Sequence, residues 1–262
     1  MSAVDQAILT TQNAKLGQNI TFALNTRVSQ VLTSDVYTHL PKTSLLSNLS
    51  TCAVVGNSGI LGHSDCGKSI DRNSFVFRCN VPPINNFGQH AGYKASLTSI
   101  NPSGVIRAKY KNLAQTPYRN RFIRDMKGYG NLLIPAYGPN IYSLKTSLAA
   151  LKLLRKYRSP TKALILNPDH FRSIQRRWEK LGLRGRITTG FYLASVALAV
   201  CDSVELYGYW PFDEVAQHKP VSYHYYDKMK KSNGIHNFNW EFDVLYKLHM
   251  GGALRMHVGP CV

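Results

Sequence analysis

Acidic residues are scarce in this chain. Fourteen Asp and Glu stand against 32 Lys and Arg in 262 residues, a formal charge of +18. Such a balance says nothing about fold but selects anionic partners. Nucleic acid is not among those expected: no Lys/Arg tract is dense enough for a binding tail, and no RNA- or DNA-binding signature occurs. No Asp-x-Asp is present, a common way of holding a divalent ion on a diphosphate. No Cys-x-x-Cys pair is present, which argues against a structural zinc site. The longest apolar run, 191–201, falls short of the ~20 residues that span a bilayer and reads as a buried helix. No signal peptide follows Met1, so the expectation is a membrane anchor lying outside this chain. No internal repeat is visible.

What the chain does have is enough apolar material, 44%, for a sizeable core. Its cysteines are Cys52, Cys66, Cys79, Cys201 and Cys261, an odd count that allows two disulfides and one free thiol. Glycosylation sequons stand at Asn19 (Asn-Ile-Thr) and Asn48 (Asn-Leu-Ser), while Pro102 disqualifies Asn101. Cysteines and sequons together point to an oxidising lumen.

Residues 1–48 are rich in Thr, Ser, Asn and Gln and read as a stem, which leaves 49–262 as the globular part. From there strands and helices alternate. Strands are expected at 52–56, 75–79, 97–100, 132–136, 163–166, 203–207 and 253–258. Helices are expected at 103–113, 119–127, 146–157, 169–181, 191–200 and 240–249. This alternation implies an α/β fold with a mostly parallel sheet covered on both faces. Ligands of such sheets sit at the carboxyl ends of the strands.

Four groups of residues could carry chemistry. The loop Gly56-Asn57-Ser58-Gly59-Ile60-Leu61-Gly62 follows a strand, and its glycines let backbone amides approach a phosphate. Its spacing is not that of a dinucleotide loop, and a plain strand-to-helix turn is the competing reading. Asn57, Asn80 and Asn101 with Ser103 follow successive strands, where carboxamides suit a nucleobase, ribose or phosphate. Any one Asn is equally a good turn residue. Thr188-Thr189-Gly190 opens the apolar helix, capping it and presenting free amides to an anion. His224, in Tyr223-His224-Tyr225-Tyr226-Asp227, and His236, ahead of Glu241, are candidate bases near neutral pH. A lone His is more often a satisfied surface or core residue. Lys152, Arg155 and Lys156 share one helix face, a solvated face or a guide for an anionic substrate.

In this order the pieces resemble the animal sialyltransferases. The stretch from Cys52 to about Ser103, with CAVVGNSGIL, CGKSID, FVFRCN and INPS, resembles the family's large sialylmotif. LNPDHF and TTGFYLASVALAVC resemble the small motif, HYYD the third, and the His236 to Glu241 spacing the very small motif. Tyr209-Trp210-Pro211-Phe212 and Cys261 are most similar to the α2,8-sialyltransferases. Gln89-His90-Ala91-Gly92 and Lys94-Ala95 depart from the family's usual Asp-Val-Gly and Lys-Thr.

The resemblance implies a single-domain variant Rossmann-like sandwich of the sialyltransferase-type GT-A kind. It implies an inverting, metal-independent transfer of sialic acid from CMP-sialic acid to the terminal sialic acid of a glycoprotein or glycolipid glycan. Galactose or N-acetylgalactosamine acceptors are the alternative, and a non-catalytic nucleotide-binding protein is a more distant one. Donor contacts are implied for Asn57, Asn80, Asn101, Ser103, Thr189, Gly190 and Trp210, with Ser58, Gly59 and Thr188 in the same loops. His224 would meet the donor phosphate and His236 would be the base. The implied disulfides are Cys52–Cys201 and Cys66–Cys261. Members are type II membrane proteins of the Golgi, active in protein glycosylation or ganglioside biosynthesis. The partners expected are therefore the donor, a sialylated acceptor and a possible second copy of the chain, with no cofactor, no metal, no nucleic acid, and membrane contact only through the anchor.

Overall fold

The computed structural model describes residues 7–215, 218–229 and 234–261. Strands β1 (Asn19–Thr21) and β2 (Ser29–Val31) and helix α1 (Ser34–Tyr37) come first. Next are β3 (Leu49–Val55), α2 (Gly67–Arg72), β4 (Phe75–Arg78), α3 (Gly88–Ala91) and β5 (Leu97–Ser99). Then follow α4 (Arg107–Tyr110), α5 (Thr116–Met126), β6 (Asn131–Ile134), α6 (Ile141–Lys156), β7 (Lys162–Ile165) and α7 (Pro168–Lys180). The chain continues through α8 (Thr189–Val200), β8 (Cys201–Tyr207), β9 (Glu214–Val215), β10 (Lys219–Pro220), α9 (Phe238–Met250) and β11 (Arg255–His257).

Seven strands form the central sheet in the order β11-β8-β3-β4-β5-β6-β7. Pairings β11–β8, β8–β3, β3–β4, β5–β6 and β6–β7 are parallel. The α/β class expected from the alternation is therefore observed. The chain divides into two compact units, one holding Leu97–Ile174 with the residues up to Ser47, the other Asn48–Ser96 with Gln175–Val262.

In the second unit, Cys52, Ala53, Val54 and Val55 have no exposed surface, as a parallel strand covered on both faces requires. Helix α8 is apolar all round because it is buried all round: Phe191, Leu193, Ala194, Val196 and Ala197 are at most 2% exposed. Its C-terminal Val200 runs directly into β8, whose Cys201 pairs alongside Leu49 of β3. Two disulfides lie in this unit, Cys52–Cys201 and Cys66–Cys261, and Cys79 is a buried free thiol. This is the pairing implied by the family resemblance.

In the first unit the segment 7–47 is folded, although its composition suggests a stem. Ile8, Phe22, Leu32 and Leu46 are fully buried, each a contribution of roughly 1.5–3 kcal/mol. Backbone bonds tie the segment to the rest of the unit, Leu9 N to Ile165 O (2.8 Å), Asn167 N to Ala7 O (3.0 Å) and Ala23 N to Tyr137 O (2.8 Å). These apolar residues fall in short clusters separated by long polar stretches, so no sustained period of 2 or 3.6 marks them. The expected helix 103–113 is also broken. It begins as a π-turn at Pro102–Ile106, and Lys111, Asn112 and Leu113 all have positive φ, which a right-handed helix excludes. The basic face of α6 is partly neutralised, since Lys152 Nζ donates to Asp35 Oδ2 at 2.7 Å. Beside it, His39, Arg155, Arg158 and Lys162 line a cleft of about 360 Å³ with Leu151 and Leu154 as its apolar part. Among the described residues no helix is long and apolar enough to cross a membrane.

Candidate active site

β3, β4 and β8 are parallel neighbours, so the residues following them emerge at one edge of the second unit. That edge carries Asn57, Asn80 and Gly208-Tyr209-Trp210. Asn57 Nδ2 donates to Cys79 O (3.1 Å) and Tyr226 Oη (3.4 Å), while its Oδ1 is buried with no hydrogen-bond partner among the described residues. A carboxamide tied down by its donor end and open at its acceptor end is suited to receive an N–H or O–H from a ligand. Asn80 sits in the left-handed region at φ 58°.

The loop 57–59 is stitched to the segment 222–226. Tyr225 N donates to Asn57 O (2.9 Å) and Gly59 N to Ser222 O (3.0 Å). The approach is so close that a Cβ on Gly59 would run into Ser222, which explains the glycine there. Ser58 N donates to Gly208 O (3.2 Å), and Ser58 Oγ caps the turn by accepting from Ile60 N (3.4 Å). This places His224 beside the strand-end loop. His224 Nδ1 donates to both Asp227 oxygens at 3.0 Å, and its ring stacks on Tyr223 (4.3 Å) and Tyr226 (4.9 Å). Nε2 is thereby left for a ligand.

His236 lies just before α9, which Asn237 caps by accepting from Trp240 N (3.1 Å). His236 Nδ1 lies 2.7 Å from the Arg186 carbonyl. A carbonyl accepts only, so Nδ1 carries the proton and Nε2 holds the free lone pair. Burial is the main reason its pKa lies below the ordinary 6.5, with the Arg186 charge acting in the same direction and the carbonyl bond opposing. Its surroundings thus favour the neutral ring over the charged one, a property suited to a general base. Phe238 lies between the two histidines' neighbourhoods, 5.7 Å from the His236 ring and 6.2 Å from Tyr223.

Thr188 caps α8 by accepting from Phe191 N (3.0 Å). The turn is held from outside as well. Buried Glu241 accepts from Thr188 N (2.7 Å) and Thr188 Oγ1 (2.6 Å), and Tyr209 Oη donates to Gly190 O (2.8 Å). Thr189 and Gly190 form the first turn of α8. Trp210 Nε1 donates to Glu214 O (2.9 Å), and its ring meets Phe212 (5.0 Å) and Phe242 (5.6 Å) edge-on. Asn101 and Ser103 belong to the first unit. There Asn101 Oδ1 accepts from Ser103 N (3.0 Å), Ser103 Oγ (2.9 Å) and Gly104 N (3.1 Å), a helix cap. Asn19 and Asn48 are exposed. Among the described residues no group of His, Cys, Asp or Glu is placed to hold a metal ion.

Glu241, Gln175, Tyr209 and Arg186 were not candidates from the sequence, beyond Glu241's place in a motif. Their roles rest on contacts between distant positions, which no spacing signals. Glu241 makes a measurable prediction. Burial raises its pKa from an ordinary 4.5 to about 7, with the Thr188 bonds opposing. A carboxyl whose folded pKa is raised contributes fully below its unfolded pKa, and that contribution is lost as pH rises through the folded pKa. Relative to Glu241→Gln, the parent protein should therefore lose several degrees of Tm between pH 5 and pH 8. Parallel Tm-against-pH curves for the two proteins would remove this account of Glu241.

A parallel α/β sheet whose strand ends gather carboxamides, a glycine loop and two oriented histidines has the organisation of an enzyme built around a nucleotide. Residues 5–253 match glycosyltransferase family 29 (sialyltransferase), and the chain belongs to that family. It is 37% identical over 260 residues to the alpha-N-acetylneuraminide alpha-2,8-sialyltransferase of Bos taurus, covering 97% of this chain and 71% of that protein. It is 33% identical over 267 residues to alpha-2,8-sialyltransferase 8F of Mus musculus, covering 99% of this chain and 66% of that protein. The chain thus spans about two thirds of the length of these relatives. Its fold is similar to that in a crystal structure of a mammalian sialyltransferase in complex with Gal-beta-1-3GalNAc-ortho-nitrophenol. That match has a TM-score of 0.62 and 22% identity, and covers 99% of this chain and 92% of the other.

Proposed function

We propose that this protein transfers sialic acid from CMP-sialic acid to the terminal sialic acid of a glycoprotein or glycolipid glycan. The bond formed is α2,8, and the transfer is inverting and independent of metal. The observation that carries this reading is the bond from His236 to the Arg186 carbonyl, in a chain that aligns along nearly its whole length with α2,8-sialyltransferases. That bond leaves Nε2 as the proton acceptor for a hydroxyl nucleophile.

In this reading the acceptor O–H gives its proton to His236 Nε2 as its oxygen bonds to the anomeric carbon of the donor. The anomeric C–O bond to phosphate breaks, and its electron pair leaves with CMP. One displacement inverts the configuration. His224 Nε2 meets the leaving phosphate as a hydrogen-bonding partner, and the amides opening α8 face the same charge. Asn57, Ser58, Gly59, Asn80 and Trp210 hold the nucleotide. A monophosphate leaving group carries less charge than a diphosphate, and a chain of +18 can meet it with side chains.

The site of action in this reading is the Golgi lumen, with Asn19 and Asn48 glycosylated and a membrane anchor preceding the domain. The 1–48 segment is its membrane-proximal side and 49–262 its transfer core. The test is an acceptor panel with CMP-sialic acid, in EDTA, using sialylated and desialylated forms of one glycan on protein and on lipid. Transfer to the sialylated form, with an α2,8 bond in the product, is expected. Transfer to the desialylated form alone would replace this reading with a galactose or N-acetylgalactosamine acceptor. Activity that is lost in EDTA and restored by Mn²⁺ would overturn metal independence.

A further inference from the structure

The segment that anchors the base is itself fixed on several sides. Gln175 Nε2 donates to Gly185 O (2.9 Å), and Gln175 Oε1 accepts from Ile187 N (2.9 Å). Arg186 N donates to Ile235 O (3.1 Å), and Arg186 O receives His236 Nδ1 (2.7 Å). Leu183 and Ile187 are buried on either side, at 5% and 2% exposure. Gly185 has φ 96°, and a Cβ there would stand 2.9 Å from Ile235 O, so this residue needs to be glycine. The origin of the Arg186 side chain is thereby set next to His236.

The guanidinium itself has no hydrogen bond or ion pair among the described residues, although Arg186 is half-buried. Two other arginines contrast with it: Arg119 donates to Leu113 O (2.7 Å), and Arg172 pairs with Asp169. A half-buried, unpaired guanidinium has lost water without gaining a partner. Burial lowers its pKa, and its charge in turn lowers that of His236, so it acts at short range on the base.

A rigid fork of N–H donors with no protein anion fits a carboxylate, which it can grip through two parallel bonds. From this we infer that Arg186 binds the carboxylate of the acceptor's terminal sialic acid and so selects sialylated over neutral acceptors. The inference rests on the proposed α2,8 transfer. The donor sugar also has a carboxylate. The acceptor is the one assigned because Arg186 is bonded to the base, which must touch the acceptor hydroxyl, and not to the strand-end loop at Asn57. Binding a carboxylate here also cancels the positive charge beside His236, making the imidazole more basic when the right acceptor is in place.

The test compares the parent protein, Arg186→Ala and Arg186→Lys on one sialylated acceptor and on the methyl ester of its terminal sialic acid. The parent should prefer the free acid. Arg186→Ala should raise the acceptor KM about tenfold to a hundredfold, leave the donor KM unchanged, and handle acid and ester alike. Arg186→Lys, which keeps charge but loses the fork, should fall between. The acidic limb of kcat/KM should move to higher pH in Arg186→Ala, because a cation has left the side of His236. A merely structural role would not move that limb or erase the acid-to-ester preference. Folding of each variant is checked by Tm and by hydrolysis of CMP-sialic acid in the absence of acceptor. If Arg186→Ala keeps the parent's preference for the acid, the assignment is wrong. If Arg186→Lys alone folds, its retaining the full preference has the same meaning. A rise in the donor KM instead would move the guanidinium to the donor carboxylate and also overturn it. If the parent itself acts only on desialylated acceptors, the proposed function fails and this inference fails with it.

Discussion

His236→Ala is expected to reduce transfer by about 100-fold or more while CMP binds nearly as before. The argument begins with the tautomer. The Arg186 carbonyl can only accept, so the Nδ1 proton is committed and Nε2 is the open nitrogen. In the proposed transfer an attacking sugar hydroxyl is a weak nucleophile until its proton is taken, and His236 Nε2 is the group assigned to take it. CMP itself leaves as an anion and needs no strong acid, so removing the base affects one step and leaves the nucleotide's contacts in place. The loss should fall in kcat, with CMP inhibition little changed. The measurement is turnover beside a CMP titration, on variant protein whose Tm matches the parent. Near-parent turnover in such a sample would exclude His236 as the base.

The second large effect concerns stability. Cys52→Ala with Cys201→Ala opens a link between residues separated by 149 positions. In the chain-entropy view, releasing a loop of this length is worth about 5 kcal/mol, an upper figure for native structures. The sulfur of Cys52 is also buried, and alanine leaves its space poorly filled. Tm should fall by roughly 10 °C or more for a chain of this size. Cys79 should stay unreactive to thiol reagents until the protein unfolds, because burial raises its pKa to about 12. A double variant as stable as the parent would mean that the β3–β8 pairing holds this region without the bridge.

The strands were the most legible part of this fold. All seven expected strands occur, because continuous apolar runs such as those of β3 and β6, bounded by Gly, Asn or Pro, have few other uses. Polar helices were less legible. Helix α2, GKSIDR, buries only Gly67 and Ile70, too few positions to show a period. The segment 7–47 hid its fold for a related reason, its buried residues coming in clusters too short and too far apart to show a period. At the candidate site, Asn57, Asn80, Thr188 and both histidines could be named from local pattern and family resemblance. Glu241 holding Thr188, 53 positions away, and the Arg186 carbonyl holding His236, 50 positions away, are tertiary contacts without a local signature. Asn101 shows the limit of the pattern. Its carboxamide oxygen is taken up in capping its own helix.

The anchor of His236 is a peptide oxygen, and no point substitution deletes a peptide oxygen. Any residue that tolerates the backbone at 186 brings the same acceptor to Nδ1, so the tautomer of the base is insensitive to what side chain stands there. Position 186 can therefore be randomised with the orientation and tautomer of the base intact, its basicity alone following the charge placed there. A library saturated at this one codon would sample new acceptor preferences without first having to re-orient the base, which makes it the natural starting point for redirecting the enzyme to a different glycan.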